Sequence, residues 1–253
     1  MSAFSCLHAP TSVRCIERWD KDEEMLEYPA SFRATCRVLR NRMAKSVSAE
    51  KKHRTDAFTA IYESGYWGGG RPSGAGSTLE ATTTTRNIVT KIIADYEIKS
   101  IVDVACGDFT WMPLVLQAAA SKLRYTGCDI VAGLVTQHTS NYPQYSFQQL
   151  DFVADEMPPE DLIICRDVLQ HLPVKDIQKA LQNFSTSGAR YLLTTTHIRR
   201  YGWRNRQNIR PGRCRDRNLL LPPFSLPDPI VIYSENYPEQ HKFLGLWKLP
   251  FSG

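Results

Sequence analysis

Short apolar runs alternate with amphipathic stretches over the second half of the chain. The apolar runs predict strands over residues 100–105, 124–129, 145–150, 161–165 and 190–196, and helical spacing predicts helices over 111–120, 132–140 and 174–184. Strands that alternate with helices through short connections form a parallel sheet covered on both faces. Two further runs, 229–233 and 242–247, predict a closing antiparallel hairpin. The chain is therefore predicted to be an α/β protein with a doubly wound, seven-stranded, mainly parallel sheet.

The first 56 residues show no strand pattern. Four apolar residues recur there at helical spacing with arginines between them: Phe32, Cys36, Leu39 and Met43. The pattern predicts an N-terminal helical extension over residues 1–56, followed by the main domain over 57–253.

A glycine-rich stretch with two aromatic residues, Tyr66 and Trp67, covers residues 65–77. Glycines of this kind suit a lid that closes over a ligand. The alternative is that Trp67 only anchors the N-terminal helices onto the sheet. The stretch ends at Ser77-Thr-Leu-Glu80, a capping box that predicts a helix running to about residue 96.

The composition is that of an ordinary globular protein, with 42% hydrophobic and 23% charged residues. No apolar run approaches the roughly 20 residues of a membrane-spanning helix, and the first ten residues lack a signal-peptide pattern. Seven cysteines are an odd number, without a C-x-x-C pair. Cys106, Cys128 and Cys165 fall in or beside apolar runs, which indicates reduced, buried residues. We therefore expect a cytoplasmic protein without a metal site, with organellar import left open.

The formal net charge is only +5, but the basic residues are concentrated in two windows. One runs from Arg33 to Arg54 and the other from Arg199 to Arg217, and each holds eight Lys or Arg residues against one acidic residue. Such windows attract phosphates, RNA or an acidic partner. The alternative is a solvated helix face and a solvated loop.

Acidic residues stand at the carboxyl ends of the predicted strands. Asp129 ends the second strand and Asp151 follows the third, while the first strand contains Asp103 and leads into a turn at Gly107. In a doubly wound sheet the ligand lies beyond these strand ends. Carboxylates there can accept hydrogen bonds from ribose hydroxyls or from the exocyclic amine of a base. Because the G-x-G-x-x-G fingerprint is absent, the pattern predicts an adenosine ligand without phosphates.

The same residues belong to a longer series of motifs. The series includes Trp67-Gly-Gly, Ser73-Gly-Ala-Gly-Ser77-x-Leu-Glu80-x-Thr82, Ala105-Cys-Gly-Asp-Phe-x-Trp-Met112, Cys165-Arg-Asp167-x-Leu-x-His171-Leu172 and Pro222-Pro-Phe-x-Leu-Pro227. It resembles class I S-adenosylmethionine-dependent methyltransferases, in particular a mostly uncharacterised bacterial-type group. The resemblance covers about residues 58–249 and implies a Rossmann-like fold with S-adenosyl-L-methionine as cofactor. The sequence departs from the general family pattern at Ala105 and Phe109, where glycine is common.

The resemblance also implies which residues meet the methionine portion of the cofactor. We expect this portion beside Asp103 and the turn formed by Ala105, Cys106 and Gly107. Asp108 is expected near the amino group of the cofactor, or else as the N-cap of the next helix.

Two pairs of neighbours are expected at the nucleoside. Asp129 and Ile130 would meet the ribose, and Asp151 would accept from the adenine amine while Phe152 packs beside the base. Trp67 would close over the cofactor, where an aromatic face gains on the order of 1 kcal/mol from a sulfonium.

His171 is the expected general base. Asp167 precedes it by four residues, so a helical turn would place both on one face, where the carboxylate would orient the imidazole. His197, at the end of the fifth strand, is the rival base, and His171 could instead be structural. Arg166 would clamp an acidic substrate group or neutralise the strand-end acids. A neutral amine or a thiolate as acceptor would require neither histidine.

These observations predict a methyltransferase that acts on an O or N atom of a small molecule or sugar. One alternative is an RNA or ribonucleoprotein methyltransferase that uses the two basic windows. Another is a catalytically silent methyltransferase fold that serves as a scaffold subunit.

Overall fold

The computed structural model describes residues 30–68, 73–119, 123–199, 205, 207–235 and 241–251. The chain divides into two compact units, residues 1–52 and 53–253. The predicted domain boundary after residue 56 stays a prediction, and the start of the predicted extension, 1–29, lies outside the described residues.

The described helices and strands follow the predicted alternation. In chain order they are α1 (Ala30–Ser64), α2 (Thr83–Asp95), β1 (Ser100–Val104), α3 (Met112–Ala118), β2 (Arg124–Asp129), α4 (Ala132–Asn141), β3 (Ser146–Gln149), β4 (Leu162–Cys165), α5 (Val174–Thr186), β5 (Tyr191–His197), β6 (Val231–Ser234) and β7 (Lys242–Lys248). Two 3₁₀ turns cover Ala75–Ser77 and Leu169–His171. No described helix combines the length and the apolar character that crossing a bilayer requires.

The strands form one sheet in the order β3-β2-β1-β4-β5-β7-β6. Neighbouring strands from β3 to β5 are parallel, and β7 runs antiparallel to both β5 and β6. The predicted seven-stranded, mainly parallel sheet with antiparallel C-terminal strands is confirmed. Because the order reverses beside β1, the carboxyl ends of β1 and β4 flank the crevice where such sheets bind ligands.

Both faces of the sheet are buried at its central strands β1, β4 and β5. Ile101 belongs to the apolar cluster on one face and its neighbour Val102 to the cluster on the other, as the two-residue period of a strand requires. The first of these clusters contains Phe109 and the second contains Phe184 and Trp247. This burial fixes the sheet and leaves its carboxyl edge to carry the polar side chains.

The capping box predicted at Ser77 is wrong. Helix α2 begins at Thr83, and the Ser77 hydroxyl lies instead within hydrogen-bond distance of the Gly74 carbonyl oxygen (2.9 Å) and of Oδ2 of Asp108 (3.1 Å). The serine therefore closes the glycine-rich loop against the turn after β1, a contact between segments that local sequence does not reveal.

Candidate cofactor and acceptor site

A cavity of about 490 Å³ opens at the carboxyl edge of the sheet, within the usual range for small-molecule sites. Every residue that we expected at the site from the sequence lines it: Trp67, Asp103, Ala105, Cys106, Gly107, Asp108, Asp129, Ile130, Asp151, Phe152, Arg166, Asp167, His171 and His197. The order of the strands in the sheet sets the order of these residues along the cavity, from Asp151 beyond β3 to His197 at β5.

The turn after β1 is held from three directions. Asp129 accepts the Gly107 N–H at Oδ2 (3.1 Å) and the Val131 N–H at Oδ1 (3.0 Å). Nε2 of His138 lies 2.7 Å from the Gly107 carbonyl oxygen. Gly107 has a φ of +57°, and a Cβ there would lie 2.5 Å from Oγ of Ser73. Only glycine therefore fits this position without displacing its neighbours.

Asp103 lies buried on β1, beside this turn. The Tyr125 hydroxyl donates to its Oδ2 at 3.0 Å. Burial, reinforced by the charge of Asp129 and opposed by the Tyr125 hydrogen bond and by Arg166, raises the pKa of Asp103 to about 7. The carboxyl group can therefore gain or lose its proton near neutral pH.

Asp108 is not the N-cap of the next helix, because α3 begins at Met112 and its cap residue is Trp111. Its Oδ1 accepts the Thr110 N–H (3.2 Å), while its own N–H donates to Oγ of Ser73 (2.7 Å). The N-cap alternative is thus wrong, and the side chain instead stabilises the turn. Whether it also meets the cofactor amino group stays a prediction.

Asp151 has an ion-pair partner that the sequence did not reveal. Its Oδ2 accepts from Nε (3.0 Å) and Nη2 (2.8 Å) of Arg54, and its Oδ1 accepts the Val153 N–H (3.1 Å). Nη1 of Arg54 also reaches Oδ2 of Asp176 at 3.3 Å. Arg54 is only 3% exposed, so it cannot belong to a surface that docks RNA or an acidic partner, as its place in the first basic window had suggested.

Trp67 makes contacts of the anchoring kind, whereas its closure over the cofactor stays a prediction. Its ring packs against Phe58 of α1 (5.9 Å between centroids) and against the His171 ring (4.5 Å), and its Nε1 donates to the Gly212 carbonyl (3.3 Å). It therefore anchors α1 and also forms a wall of the cavity. Phe152, also in the wall, stacks on Phe184 at 5.7 Å.

Asp167 is not the hydrogen-bond partner of His171 that the four-residue spacing predicted. Its carboxylate accepts from Nζ of Lys242 (2.8 Å) and from Nε2 of Gln170 (3.0 Å), and it lies 3.3 Å from Nη2 of Arg166. Burial disfavours its charged form, but the two cations lower its pKa well below the ordinary range. Their charges draw the carboxylate away from the imidazole, and only a 3₁₀ turn follows β4, so the expected helical face does not form.

His171 is oriented by a backbone carbonyl instead. Its Nδ1 lies 3.2 Å from the carbonyl oxygen of Arg213. Because a carbonyl only accepts, Nδ1 carries the proton of the neutral ring and Nε2 holds the lone pair. Burial lowers the pKa of His171, which keeps the ring neutral at pH 7. No group among the described residues hydrogen-bonds its Nε2.

His197, unlike His171, has protein groups near both of its ring nitrogens. Its Nδ1 lies 3.3 Å from both the N–H and the carbonyl oxygen of Arg217, and its Nε2 faces Oδ1 of Asp216 at 3.8 Å. Asp216 in turn accepts from Arg199 (3.0 Å) and contacts Nε2 of His241 (2.9 Å). Both ring nitrogens of His197 therefore face protein groups, in contrast with His171.

Glu235 and Lys242 were missed by sequence reasoning. Glu235 is fully buried and accepts from Nε of Arg166 at 2.7 Å, while Nζ of Lys242 lies 3.4 Å from its other oxygen. Arg166 also donates to the Gly76 carbonyl (3.0 Å). Arg166 therefore binds the protein's own groups, and it neutralises the strand-end acid Asp167. Glu235 lies 69 residues after Arg166, and Lys242 lies 75 residues after Asp167, so no local pattern in the sequence indicates these pairs.

The second basic window is also partly internal. Arg217 is buried and donates to the carbonyls of Gln207 and Leu172, and Arg199 pairs with Asp216.

The cysteines that the structure describes form no disulfide, and the described residues contain no cluster of His, Cys, Asp or Glu that could hold a metal ion.

Comparisons with known proteins agree with this geometry. Residues 102–187, about a third of the chain, match the family described as a methyltransferase domain. A search among curated proteins finds no match. The first solved structures found, of the methyltransferase domain of bacterial CtHen1-C, are 15% identical with a TM-score of 0.41, and the match covers 46% of this chain and 66% of that one, just under two thirds of its length.

Two other solved structures share more of the fold. Magnesium protoporphyrin IX methyltransferase from Synechocystis PCC 6803, with bound SAM, is 15% identical over 79% of this chain and 96% of that one, with a TM-score of 0.55. The 1,6-didemethyltoxoflavin-N1-methyltransferase from Burkholderia thailandensis, with bound 1,6-didemethyltoxoflavin and S-adenosylhomocysteine, is 13% identical over 82% and 89%, also with a TM-score of 0.55. The comparisons agree with the resemblance drawn from the sequence: residues 102–187 match a methyltransferase domain, and the chain has the fold of these two S-adenosylmethionine-dependent methyltransferases.

Proposed function

We propose that this chain transfers a methyl group from S-adenosylmethionine to an O or N atom of a small molecule or sugar. The observation that carries the proposal is the convergence of all the expected residues on one cavity. We call the part beyond β3, β2 and β1 the cofactor end, marked by Asp151, Asp129 and Asp103. The part beyond β4, β5 and β7 is the acceptor end, marked by His171 and Lys242.

The groups at the cofactor end fit this cofactor. Each oxygen of Asp129 accepts one backbone N–H, which leaves lone pairs for the two hydroxyls of a ribose. Asp103 would face the amino group of the methionine portion. When bound, S-adenosylmethionine supplies a methyl group on a positively charged sulfur, which keeps the C–S electron pair when the methyl leaves.

His171 is the group best suited to hold the proton that a hydroxyl acceptor gives up. Its Nε2 lone pair is available, whereas both nitrogens of His197 face Arg217 and Asp216. Nε2 of His171 would take the proton as the new O–CH₃ bond forms. Trp67 stacks on the ring and would hold it in place.

The electrostatics of the acceptor end support an uncharged, polar acceptor. Asp167 is balanced by Lys242, Asp216 by Arg199, and Glu235 by Arg166. An acidic substrate would have to compete with these carboxylates for the cations. A sugar or another small hydroxyl-bearing molecule meets no such competition.

We also propose a cytoplasmic location. One labelling experiment distinguishes the proposed function from its two rivals. Incubating the protein with methyl-labelled S-adenosylmethionine and a fractionated cell extract should yield a labelled small molecule. Label in RNA would favour the ribonucleoprotein alternative. Cofactor binding without any labelled product would favour the scaffold.

A further inference from the structure

Arg54 lies outside the stretch in which the sequence resembles the methyltransferases, yet it lines the cavity beside Asp151. It belongs to the part of α1 that follows His53, in the same unit as the sheet. The family resemblance therefore assigns it no role, and its position has to be explained from its contacts.

Those contacts form a planar fork. Nε and Nη2 of Arg54 both donate to one carboxylate oxygen of Asp151, at 3.0 and 2.8 Å. The two side chains are 3% and 2% exposed, so water does not weaken the pair. Nη1 reaches a second buried carboxylate, Asp176, at 3.3 Å.

The fork determines what Asp151 can still bind. Its Oδ2 uses both lone pairs on Arg54, and its Oδ1 uses one on the Val153 N–H. One acceptor position remains on Oδ1, and no further group among the described residues donates to it. That position suits a single N–H donor.

The Asp151 carboxylate is held in place by the Arg54 guanidinium and accepts hydrogen bonds at its open position. It attracts the exocyclic amine of adenine and repels a carbonyl oxygen at the same place on the base. Without Arg54 the carboxylate would lose the two hydrogen bonds that fix its orientation, and the open position on Oδ1 would no longer be aimed at one place on the base.

We propose that Arg54 is a positioning residue of the adenine subsite, which makes Asp151 selective for a purine that carries an exocyclic amine. The proposal rests on the proposed function, because it assumes an adenosine ligand at the cofactor end. It makes the part of α1 that follows His53 part of the cofactor site, acting through Asp151 and not by contact with the reacting atoms.

The test compares two ligands by calorimetry with the full chain: S-adenosylhomocysteine and S-inosylhomocysteine, in which a carbonyl oxygen replaces the amine. We expect the wild type to prefer the adenosine compound about tenfold or more, as loss of a charge-assisted hydrogen bond predicts. In R54M the ratio should fall to within about twofold. R54K keeps the charge but loses the fork, so its ratio should lie between these values.

D176N is the matched control, because it removes the other carboxylate of the same buried cluster and leaves the Arg54–Asp151 pair intact. Its ratio should stay within about twofold of the wild type, and a loss as large as that of R54M would assign the effect to general disruption. If R54M does not fold, R54K decides, and an unchanged ratio overturns the proposal. Failure of the wild type to bind either compound overturns the proposed function as well, whereas binding with an unchanged ratio in R54M overturns this proposal alone.

Discussion

The side chains at the two ends of the cavity are held in place by contacts that span different distances along the chain. At the cofactor end, Asp129 accepts the N–H of Val131 and Asp151 that of Val153, each only two residues away. This repeated local turn fixes a carboxylate at the end of a strand. Apart from the Arg54–Asp151 pair, which spans 97 residues, the strand-end carboxylates of the cofactor end are thus fixed by short segments that follow β2 and β3.

At the acceptor end the corresponding contacts are long-range. His171 is oriented by Arg213, 42 residues later, and Asp167 pairs with Lys242, 75 residues later. The side chains there depend on the segment after β5 and on β7. The comparison teaches that the two ends are separable: substitutions at the acceptor end should change turnover, and substitutions at the cofactor end should change cofactor affinity.

The largest expected effect is on turnover. H171Q should lower kcat for a hydroxyl acceptor by about 10²- to 10⁴-fold, since it removes the lone pair proposed to take the proton. The affinity for S-adenosylhomocysteine should change less than about twofold. H197Q is the matched control, and its kcat should fall less than about tenfold; the reverse order of the two variants would contradict the assignment of His171.

The next largest expected effect is on the affinity for the cofactor. D129A should weaken the binding of S-adenosylhomocysteine at least tenfold, because it removes the hydrogen bonds proposed to the ribose and the anchor of the Gly107 turn. Calorimetry measures the affinity directly. Unchanged affinity would show that the nucleoside does not lie at the end of β2.

Titration of Asp103 should make the affinity for S-adenosylhomocysteine depend on pH, with a change similar to or smaller than that caused by D129A. Its pKa of about 7 means that the carboxyl is neutral below pH 7 and becomes charged as the pH rises through 7. If only the charged form attracts the cofactor amino group, affinity for S-adenosylhomocysteine should rise roughly tenfold from pH 6 to pH 8. D103N should abolish that rise, and an unaltered pH profile in this variant would place the titrating group elsewhere.

The smallest expected effect is on the turn itself. G107A places a Cβ against Oγ of Ser73 and imposes a side chain on a positive φ, which costs about 1–2 kcal/mol. Thermal unfolding should show the loss. In an S73G background the cost of G107A should be smaller by the part due to the clash, measured against S73G alone because that variant also loses the hydrogen bond from Asp108. An equal cost in both backgrounds would mean that φ alone sets it.

Much of the fold was predictable because it is encoded locally. The apolar runs predicted the strands, and the alternation with helices predicted the parallel sheet, since the central strands β1, β4 and β5 are buried on both faces. The strand-end residues at the cofactor end were predictable for the same reason: Asp103, Asp129 and Asp151 occupy recognisable places beside strands.

What could not be predicted depends on contacts between distant segments. Arg54 was indistinguishable from its solvated neighbours in a basic helix, and the i,i+4 spacing of Asp167 and His171 suggested a pair that Lys242 and Arg166 prevent. The capping box at Ser77 failed for the same reason, because Asp108 competes for its hydroxyl.

Binding of S-adenosylhomocysteine to the wild-type chain tests the central claim most directly. Isothermal titration calorimetry should give one site per chain, with a dissociation constant of tens of micromolar or tighter, on the order of 6 kcal/mol or more. Absence of binding at tens of micromolar would contradict the claim that the carboxylates and the glycine turn at the strand ends hold this cofactor.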